Sequence, residues 1–595
     1  MSNMSTGITT FEIKVKGAKI PDETPVFSIE VNFSVNKISL ARIVVLDGEA
    51  NTGEFKASSS SIFIPGSAIT IEAGYENQNK LLFKGVICTQ HIRINDSEGS
   101  VLEVECRDTS IAASIGRKSK TFSNKKDSEI ISAILGEYSD VSSSVKATTI
   151  QWPQMVQYYT TDWDFILSRA EANGLIVTTI NGKIAIINPI DKTTSVLKLT
   201  YGIDIIEFNG ELNSTNQLGN VKASSWDYTS QKIVSGASTN NYKGAGNLSS
   251  KKLSEVVGLK NYELQTSASL NKDDLTNWSK AQMIKSELSK FYGEVTCKGT
   301  HLVLPGNFIE LQRLGDRFNG DHFVSGVTHT FSEGNWVTEI AFGLSTKWFT
   351  ETLDVIAPTA SGLLPGVNGL FTATVKKTYE DPENQYRILI DIPLFDPKGE
   401  GLWARFGSFY ASSNAGAFFL PEVGDEVIVG FLNEDPRFPI ILGSLYSNDK
   451  LKPFEAIEPN EKNTKKAIVS KSGIKVVFDD EKKDLIITTP ANNTLTLSDN
   501  DKQVTLQDQN NNSIVMSESG IEIKSVKSIS IQSDQNLTLK GTQGVNIESS
   551  AGDVSISGVN IKQTADMEFS AEGNTNATVQ GGGELTLKGA MIMIN

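Results

Sequence analysis

The stretch Ile529-Ser-Ile-Gln-Ser-Asp-Gln-Asn-Leu-Thr-Leu-Lys-Gly-Thr-Gln-Gly-Val-Asn-Ile547 decides the fold of this chain. Its apolar residues stand two apart, in pairs, and turn-forming residues such as Gly, Ser, Asn and Asp separate one pair from the next. Alternation with a period of two is typical of a strand with one buried face. The pairs recur about every eight residues, so the stretch is a repeat of short strands and turns.

The same pattern extends over residues 468–595, with some slips in register. The apolar pairs in its clearest part are Ile529/Ile531, Leu537/Leu539, Val545/Ile547, Val554/Ile556, Val559/Ile561, Met567/Phe569, Ala577/Val579, Leu585/Leu587 and Met591/Met593. A strand set of this kind has a single apolar wall and cannot be stable alone in water.

Three arrangements could cover that wall. A single-chain β-helix needs about twenty residues per coil, and ordinary hairpins on a globular domain are the plainest alternative. A repeat of about eight favours an intertwined homotrimer, in which each chain forms one side of a triangular prism and cyclic symmetry closes the interface.

Composition limits what the chain can bind. The 595 residues carry a formal net charge of −15, with no basic tail or Arg-rich patch. This charge argues against nucleic acid or an anionic membrane as the main partner. The length is sufficient for three or four domains, and 39% hydrophobic residues are enough for a folded protein.

The cysteines and the N-terminal segment indicate where the chain is made. Cys88, Cys106 and Cys297 are far apart, so we expect buried thiols formed in a reducing compartment. Residues 1–10 are polar, unlike a signal peptide, and no apolar run reaches the length of a membrane span.

The first half of the chain reads as short strands with a few helices. Strands are predicted at 11–15, 28–33, 38–46, 68–73, 81–89 and 101–106. Helices are predicted at 127–138, at 161–174 with Thr161 as N-cap and Gly174 as stop, and at 274–292 before Gly293. Asn181-Gly182 predicts a hairpin between strands 175–180 and 183–187.

A Pro/Gly-rich linker at 357–369 precedes a compact all-β unit. Five short strands are predicted at 371–376, 386–392, 401–406, 426–431 and 440–445, which fits a small OB-like barrel. A charged spacer follows, and the repeat begins after it.

Motifs in this unit resemble the OB domain of VgrG proteins, the spikes of type VI secretion systems, and of phage baseplate spikes. They are Thr372-Ala-Thr-Val375, Asp381-Pro-Glu383, Trp403-Ala-Arg405, Ala415-Gly416, Pro421-Glu-Val-Gly-Asp-Glu-Val427, Asp435-Pro436 and Gly443-Ser-Leu-Tyr446. The run from Pro421 together with the run from Gly443 is highly specific. The stretch between Arg405 and Phe418 is shorter than in the family pattern, and Val-Gly dipeptides are few in the repeat.

The resemblance extends to both ends of the chain. The N-terminal half is similar to the phage-hub-like part of VgrG in three motifs: Asp162-Trp-Asp-Phe-Ile-Leu-Ser-Arg169 with Gly174, the stretch from Cys297-Lys-Gly-Thr300 to Pro305-Gly306, and Gly326-Val-Thr-His-Thr-Phe331 with Glu339. The closing Lys588-Gly-Ala-Met-Ile-Met-Ile-Asn595 looks like a needle tip.

The resemblance implies a mainly β homotrimer with a phage-hub-like base of two barrel modules and helical insertions, an OB-fold neck and a triple-stranded β-helix needle. The expected boundaries are base 1–356, linker 357–369, OB neck 370–447, spacer 448–467 and needle 468–595. Its expected OB structural motif comprises Trp403, Arg405, Pro421, Glu422, Gly424, Asp425 and Gly443. We interpret the runs Trp403–Arg405 and Pro421–Val427 as determinants of the barrel core and of a turn rather than as a ligand site.

The implied function is that of a structural spike that punctures target membranes and delivers effectors. The resemblance implies a hexameric tube protein (Hcp) at the base, baseplate proteins, effectors or adaptors, and a PAAR-type protein at the tip. The expected tip-binding residues are Gly589, Ala590, Met591, Ile592, Met593, Ile594 and Asn595. Such a spike is assembled in the cytoplasm and then injected without a signal peptide.

No set of residues predicts an enzyme, a cofactor site or a metal site. His91, His301, His322 and His329 form no metal-ligand spacing, and no histidine lies in the needle. Two carboxylate sets have plainer explanations. Asp479, Asp480, Glu481 and Asp484 fit a solvated hairpin, and Asp162, Asp164 and Glu171 fit helix capping and dipole matching.

Two other functions remain open from the sequence. One is a spike that carries hydrolase activity in its own modules, which an additional domain near the OB unit or after the needle would indicate. The other is a phage-like tail spike for receptor binding or puncture, although no lysozyme-like segment follows the OB unit.

Overall fold

The computed structural model describes residues 7–95, 99–351, 355–395, 399–447, 451–454 and 460–594. The chain divides into two compact units, Met1–Leu445 and Tyr446–Asn595. Among the described residues, no helix has the length and apolar character needed to cross a membrane.

A first module of antiparallel strands opens the first unit. Its strands are β1 (Thr9–Val15), β2 (Ala18–Lys19), β3 (Val26–Ser34), β4 (Leu40–Leu46), β5 (Ala68–Tyr75), β6 (Lys80–Asn95) and β7 (Gly99–Arg107). Alternate residues such as Ile29, Val31 and Phe33 of β3 point inward and are fully buried. The strands predicted from alternation are therefore confirmed.

A mixed segment with its own apolar core follows. Its elements are β8 (Lys118–Lys126), α1 (Asp127–Leu135), β9 (Ser142–Val145), β10 (Gln151–Thr160), α2 (Asp162–Ala172), β11 (Ile176–Ile180) and β12 (Lys183–Ile187). The Thr161 side chain accepts a hydrogen bond from the Asp164 N–H, and Gly174 adopts φ +67°, as the cap and stop signals predict. Asn181 and Gly182 have φ +55° and +81°, which is the predicted tight hairpin turn.

The second module completes the hub. Its elements are β13 (Ser195–Thr200), β14 (Ile205–Leu212), β15 (Asn220–Asp227), β16 (Lys232–Thr239), α3 (Ser250–Ser254), β17 (Tyr262–Thr266), α4 (Lys272–Leu288), β18 (Phe291–Lys298), β19 (Phe308–Gln312), α5 (Gly315–Phe318), β20 (Gly320–Ser332) and β21 (Asn335–Phe342). The two modules share one thirteen-stranded sheet, because β20 pairs with β3 across Gly326–Ser34 to Ser332–Ser28. They are therefore two apolar cores on one continuous sheet.

The predicted end of the long helix is wrong by four residues. The helix α4 ends at Leu288 with Ser289 as C-cap, and Phe291 begins β18. The Phe291 side chain packs in the core of the second module, so core packing overrides the helical spacing that placed it on α4.

The OB unit is a closed five-stranded barrel. Its elements are β22 (Phe371–Lys377), β23 (Ile388–Asp391), β24 (Leu402–Phe406), β25 (Ala411–Ser412), β26 (Ala415–Gly416), β27 (Glu426–Phe431) and β28 (Pro439–Ser444). The barrel order is β22-β23-β24-β28-β27, and β25 and β26 form a separate hairpin. All five predicted barrel strands are confirmed within one or two residues.

The second unit contains a seven-stranded antiparallel meander. Its strands are β29 (Lys465–Val469), β30 (Lys475–Asp479), β31 (Asp484–Thr488), β32 (Thr494–Ser498), β33 (Gln503–Gln507), β34 (Ser513–Ser517) and β35 (Gly520–Lys524). Residues 525–594 follow without assigned strands and are interrupted by short bends. The region predicted as one needle therefore has two parts with different pairing.

The three cysteines are all free thiols. Cys106 and Cys297 are buried in the first and second cores, and Cys88 is half-buried. Burial raises the pKa of Cys297 to about 12, so this thiol behaves as a small apolar core residue, as predicted.

Candidate functional site

One face of the meander is apolar across all seven strands. The register places Ile487 beside Val476 and Leu495, and places Leu497 beside Leu485 and Val504. The apolar residues of this face are Ile468, Val476, Phe478, Leu485, Ile487, Leu495, Leu497, Val504, Leu506, Ile514, Met516, Ile521 and Ile523, and Lys466 lies at its edge beside Phe478. We call it the shaft face. In the single chain Leu506 is 52% exposed and Leu497 39% exposed, so the described residues leave this face only partly covered.

Local sequence explains why the chain turns back on itself here. Gly473, Asn492 and Asn511 stand nineteen residues apart and all have positive φ, at +89°, +63° and +67°. In each of these loops the first residue caps the last, as when the Asp508 Oδ1 accepts from the Asn512 N–H at 2.8 Å. For residues 465–524 the structure thus shows hairpins within one chain, which was the plainest of the sequence alternatives.

Residues 525–594 differ from the meander in their local structure. Bends begin at 526, 534, 542, 550, 559, 566, 574, 582 and 590, so the spacing of about eight holds throughout. Among these described residues no strand pairs with another. The period of eight is therefore confirmed, but the backbone groups between the bends have no strand partner among the described residues.

The bends correct two of the predicted apolar pairs. Val559 and Met567 lie at bends and are 102% and 99% exposed, whereas Ile561 and Phe569 are 53% and 64% exposed. Ile561 and Phe569 fall at the same distance from a bend as Ile529 does in the clean part of the repeat. Val559 and Met567 are therefore bend residues, whereas Ile561 and Phe569 occupy the position in the repeat that Ile529 occupies.

The predicted tip residues form the last extended segment. Ala590 lies at a bend, and Met591, Met593 and Ile594 are 79%, 81% and 89% exposed. Ile592 is less exposed, at 52%, and lies near Gly589. Asn595 is outside the described residues. The segment is apolar, water-exposed and without strand pairing, which is what a capping partner could cover.

The run Trp403-Ala-Arg405 is only partly a core element. Ala404 is fully buried in the barrel, whereas Trp403 is half-buried and Arg405 is exposed. Because neighbours along a strand point to opposite faces, Trp403 and Arg405 lie on the outer side of β24. The prediction of a core role therefore applies to Ala404 and is wrong for Arg405.

The run from Pro421 forms the predicted turn. Gly424 has φ +96°, and the Asp425 N–H donates to the Glu422 carbonyl at 3.0 Å. The Asp425 carboxylate accepts from the Glu422 N–H at 2.8 Å, and Pro421 is buried. Gly443 lies next to a bulge, because Ile428 pairs with Gly443 while Val429 pairs with Ile441. These residues shape the barrel and hold no visible ligand pocket.

The candidate carboxylates are occupied by structural contacts. Asp162 is buried and accepts from Lys118 at 2.5 Å and Tyr138 at 2.6 Å. Burial acts to raise the pKa of Asp162, but these hydrogen bonds outweigh it and the pKa is lowered. Glu171 forms a buried ion pair with Lys285 rather than matching the helix dipole.

The acidic turn after β30 also has a structural explanation. The Asp479 carboxylate accepts from the Glu481 and Lys482 N–H groups at 3.2 and 3.1 Å. Glu481 pairs with Lys462 at 2.9 Å, and Asp480 pairs with Lys466. Across the described ranges, no group of three or more His, Cys, Asp or Glu side chains is arranged to hold a metal ion.

Strand β20 carries two buried histidines into different cores. His322 contacts the rings of Phe291 and Phe342, with centroids 4.7 and 5.1 Å away. His329 contacts Phe33 and Trp336, and its Nδ1 lies 3.0 Å from the Thr338 Oγ1. Seven residues in a regular strand would place the two histidines on opposite sides, but the register shift between Val324 and Gly326 reverses the alternation between them.

These histidines make the first unit sensitive to acid. Burial lowers the pKa of His322 to about 4 and that of His329 to about 3. The unfolded chain, with a histidine pKa of about 6.5, therefore binds more protons below that pH than the folded chain does. Stability falls as the pH drops, by roughly 1.4 kcal/mol per pH unit for each histidine.

We expect His322→Phe to reduce the slope of unfolding free energy against pH between about pH 6.5 and 4.5. Urea titrations of the first unit's transition within the full chain measure this slope. The matched control is His91→Phe, because His91 is exposed on β6. An unchanged slope in His322→Phe would contradict the assignment.

Comparison with known proteins identifies the parts of the chain. The family model for the type VI secretion system/phage-baseplate injector OB domain matches residues 371–446. The barrel formed by β22 to β28 is therefore an OB domain of the injector class. The Alg8 N-terminal domain model matches residues 5–333, more than half of the chain, and the chain belongs to this family.

Individual relatives confirm the resemblance to VgrG spikes. The spike protein VgrG1c of Pseudomonas aeruginosa is 29% identical over 130 residues, which are 21% of this chain and 18% of that protein. VgrG1b of the same organism is 30% identical over 124 residues, 20% of this chain and 17% of that protein. The chain thus matches less than a fifth of the length of these curated relatives.

A solved structure is similar over a longer stretch but at lower identity. The prophage MuSo2 43 kDa tail protein from Shewanella oneidensis is 12% identical, with a TM-score of 0.45. The alignment covers 57% of this chain and 99% of that protein.

Proposed function

We propose that this chain is the spike subunit of a contractile injection machine of the type VI secretion type. Three copies assemble around the shaft faces, the hub docks on a hexameric tube protein, and the needle punctures a target membrane to deliver effectors. The role is structural rather than enzymatic. The assembly forms in the cytoplasm and is injected from there.

The observation that carries this proposal is the uncovered shaft face. Thirteen apolar residues lie on one side of this sheet, and soluble proteins rarely leave so large a patch in water. The opposite side is mixed, because Val477, Ile486 and Val515 lie there among polar residues such as Thr496 and Thr505. Copies of the chain would remove the larger apolar side from water by packing these sides against one another.

The extended segment supports the same arrangement. Among the described residues its backbone has no strand partner, and its bends recur about every eight residues. Three intertwined copies would supply both the missing ladder bonds and the missing apolar contacts. A shaft of this kind resists force, because unfolding one chain requires separating it from two others.

Deletion of the tip residues tests whether they bind the proposed tip protein. We expect deletion of 591–595 to leave the oligomer intact and to abolish capture of a PAAR-type tip protein, because the deletion removes the exposed Met591, Met593 and Ile594 side chains. A pull-down with the purified tip protein measures this loss.

A matched control keeps the length of the tip. The double variant Gln580→Ala and Thr578→Ala alters exposed polar residues two repeats before the tip and is expected to bind normally. Full-strength capture by the truncated chain would contradict the assignment of the tip.

A further inference from the structure

An aromatic arm projects from the OB barrel between β24 and β27. We define it as residues 407–420, which include the hairpin of β25 and β26. The Ser408 hydroxyl donates to the Ala417 carbonyl at 2.8 Å, and the Ala417 N–H donates to the Tyr410 carbonyl at 2.9 Å. Asn414 takes φ +56° in the turn. The arm is therefore a hydrogen-bonded hairpin with a defined base.

Four rings of the arm are exposed. Phe409 is 88% exposed, Tyr410 54%, Phe418 72% and Phe419 61%. Single exposed apolar residues are common on soluble proteins, but four exposed rings on one short hairpin are an unusual concentration of apolar surface. Aromatic residues are also the side chains most enriched at the centres of protein interfaces.

The composition of the arm is typical of a surface that a protein partner covers rather than of one that faces water. Residues 407–420 contain no charged side chain, in a chain that is 21% charged. Depletion of charge together with enrichment of aromatic rings marks the buried core of an interface. In the arm the rings lie at the base of the hairpin, at 409–410 and 418–419, and no charge interrupts residues 407–420.

The area of the arm fits one contact between folded proteins. Each aromatic side chain buries about 150–250 Å² when it is covered. At the observed exposures, the four rings would contribute about 500 Å², and about 1,000 Å² when both partners are counted. This reaches the lower bound for a specific interface without other contacts.

We propose that the aromatic arm packs against the OB barrel of a second copy of this chain. This proposal rests on the proposed function, because the shaft faces bring the copies together. The spacer 448–467 is short, so OB barrels tethered to one shaft would meet at high effective concentration. A modest contact area is then enough to order the arm against its neighbour.

The test places a photo-cross-linker in the full-length chain. p-Benzoylphenylalanine is incorporated in place of Phe409, and the protein is irradiated after its solution mass has been measured. We expect cross-linked dimers and trimers on a denaturing gel. Peptide mapping is expected to place the second attachment within residues 371–446 of another copy.

Two controls make the result specific. The same cross-linker in place of Tyr386, which is 81% exposed on the same barrel, is expected to give no inter-chain product. Adding Phe418→Ser and Phe419→Ser to the Phe409 probe is expected to weaken the contact roughly thirtyfold, with a matching loss of inter-chain bands.

The outcomes separate the two proposals. A monomeric mass would contradict the proposed spike itself. A trimeric mass with only intra-chain products, or with no products, from position 409 would overturn the arm contact and leave the spike in place.

Discussion

Leu497→Asp is expected to convert the assembled protein into monomers. Leu497 lies in the middle of the shaft face, between Leu485 and Val504 on the neighbouring strands. In the proposed assembly three copies of this carboxylate would meet in an apolar core. Burial of an unpaired charge costs several kcal/mol per site, so association should weaken by more than about a thousandfold, or about 4 kcal/mol. Sedimentation equilibrium over a range of concentrations measures the change.

Thr496→Asp is the matched control for this substitution. Thr496 is the preceding residue of β32 and points to the opposite face, where it neighbours Ile486 and Thr505. A carboxylate there should remain in water and leave the oligomer intact. Equal dissociation of both variants, or of neither, would contradict the assignment of the shaft face as the assembly surface.

Glu171→Ala is expected to destabilise the hub by about 3–5 kcal/mol. Glu171 and Lys285 are 7% and 5% exposed and form an ion pair that joins α2 to α4. The second oxygen of Glu171 accepts from the Phe349 N–H at 2.6 Å, and Lys285 also donates to the Lys347 carbonyl at 2.7 Å. Removal of the carboxylate leaves a buried ammonium group without its counter-charge. Urea unfolding followed by tryptophan fluorescence measures the loss, since Trp348 lies beside Lys285.

An exposed pair of the same type provides the comparison. Lys252 and Glu255 also form an ion pair, but their side chains are 65% and 60% exposed. Glu255→Ala should therefore change stability by less than about 1 kcal/mol. A loss in Glu171→Ala as small as that in Glu255→Ala would mean that the buried pair does not hold α2 and α4 together.

Features fixed by neighbouring residues were predictable from the sequence. The cap at Thr161, the stop at Gly174, the turn at Asn181-Gly182 and the turn around Gly424 each depend on a few residues with strong local preferences. The alternation of apolar residues located the barrel strands for the same reason.

Features set by distant contacts were not predictable. The spacing of apolar residues predicted that the helix continues to Phe291. The helix ends at Leu288 because the Phe291 ring packs in the core of the second module. The Glu171–Lys285 pair joins residues more than a hundred positions apart, so the sequence around either residue does not predict the contact.

The hairpins of the meander could be predicted from the sequence, although the repeat of about eight residues indicated a different structure. Gly473, Asn492 and Asn511 recur at nineteen residues, as do Lys483 and Lys502 on the other edge, and all five have positive φ. A search at that period would have indicated hairpins before residue 525. The shaft face appears only once the register of those hairpins is known.

The solution mass of the full-length chain tests the central claim most directly. Light scattering or sedimentation of the purified protein should give three times the chain mass of 64.6 kDa, because the shaft faces and the unpaired repeats need partners from identical copies. A single species of 64.6 kDa would contradict the trimeric spike.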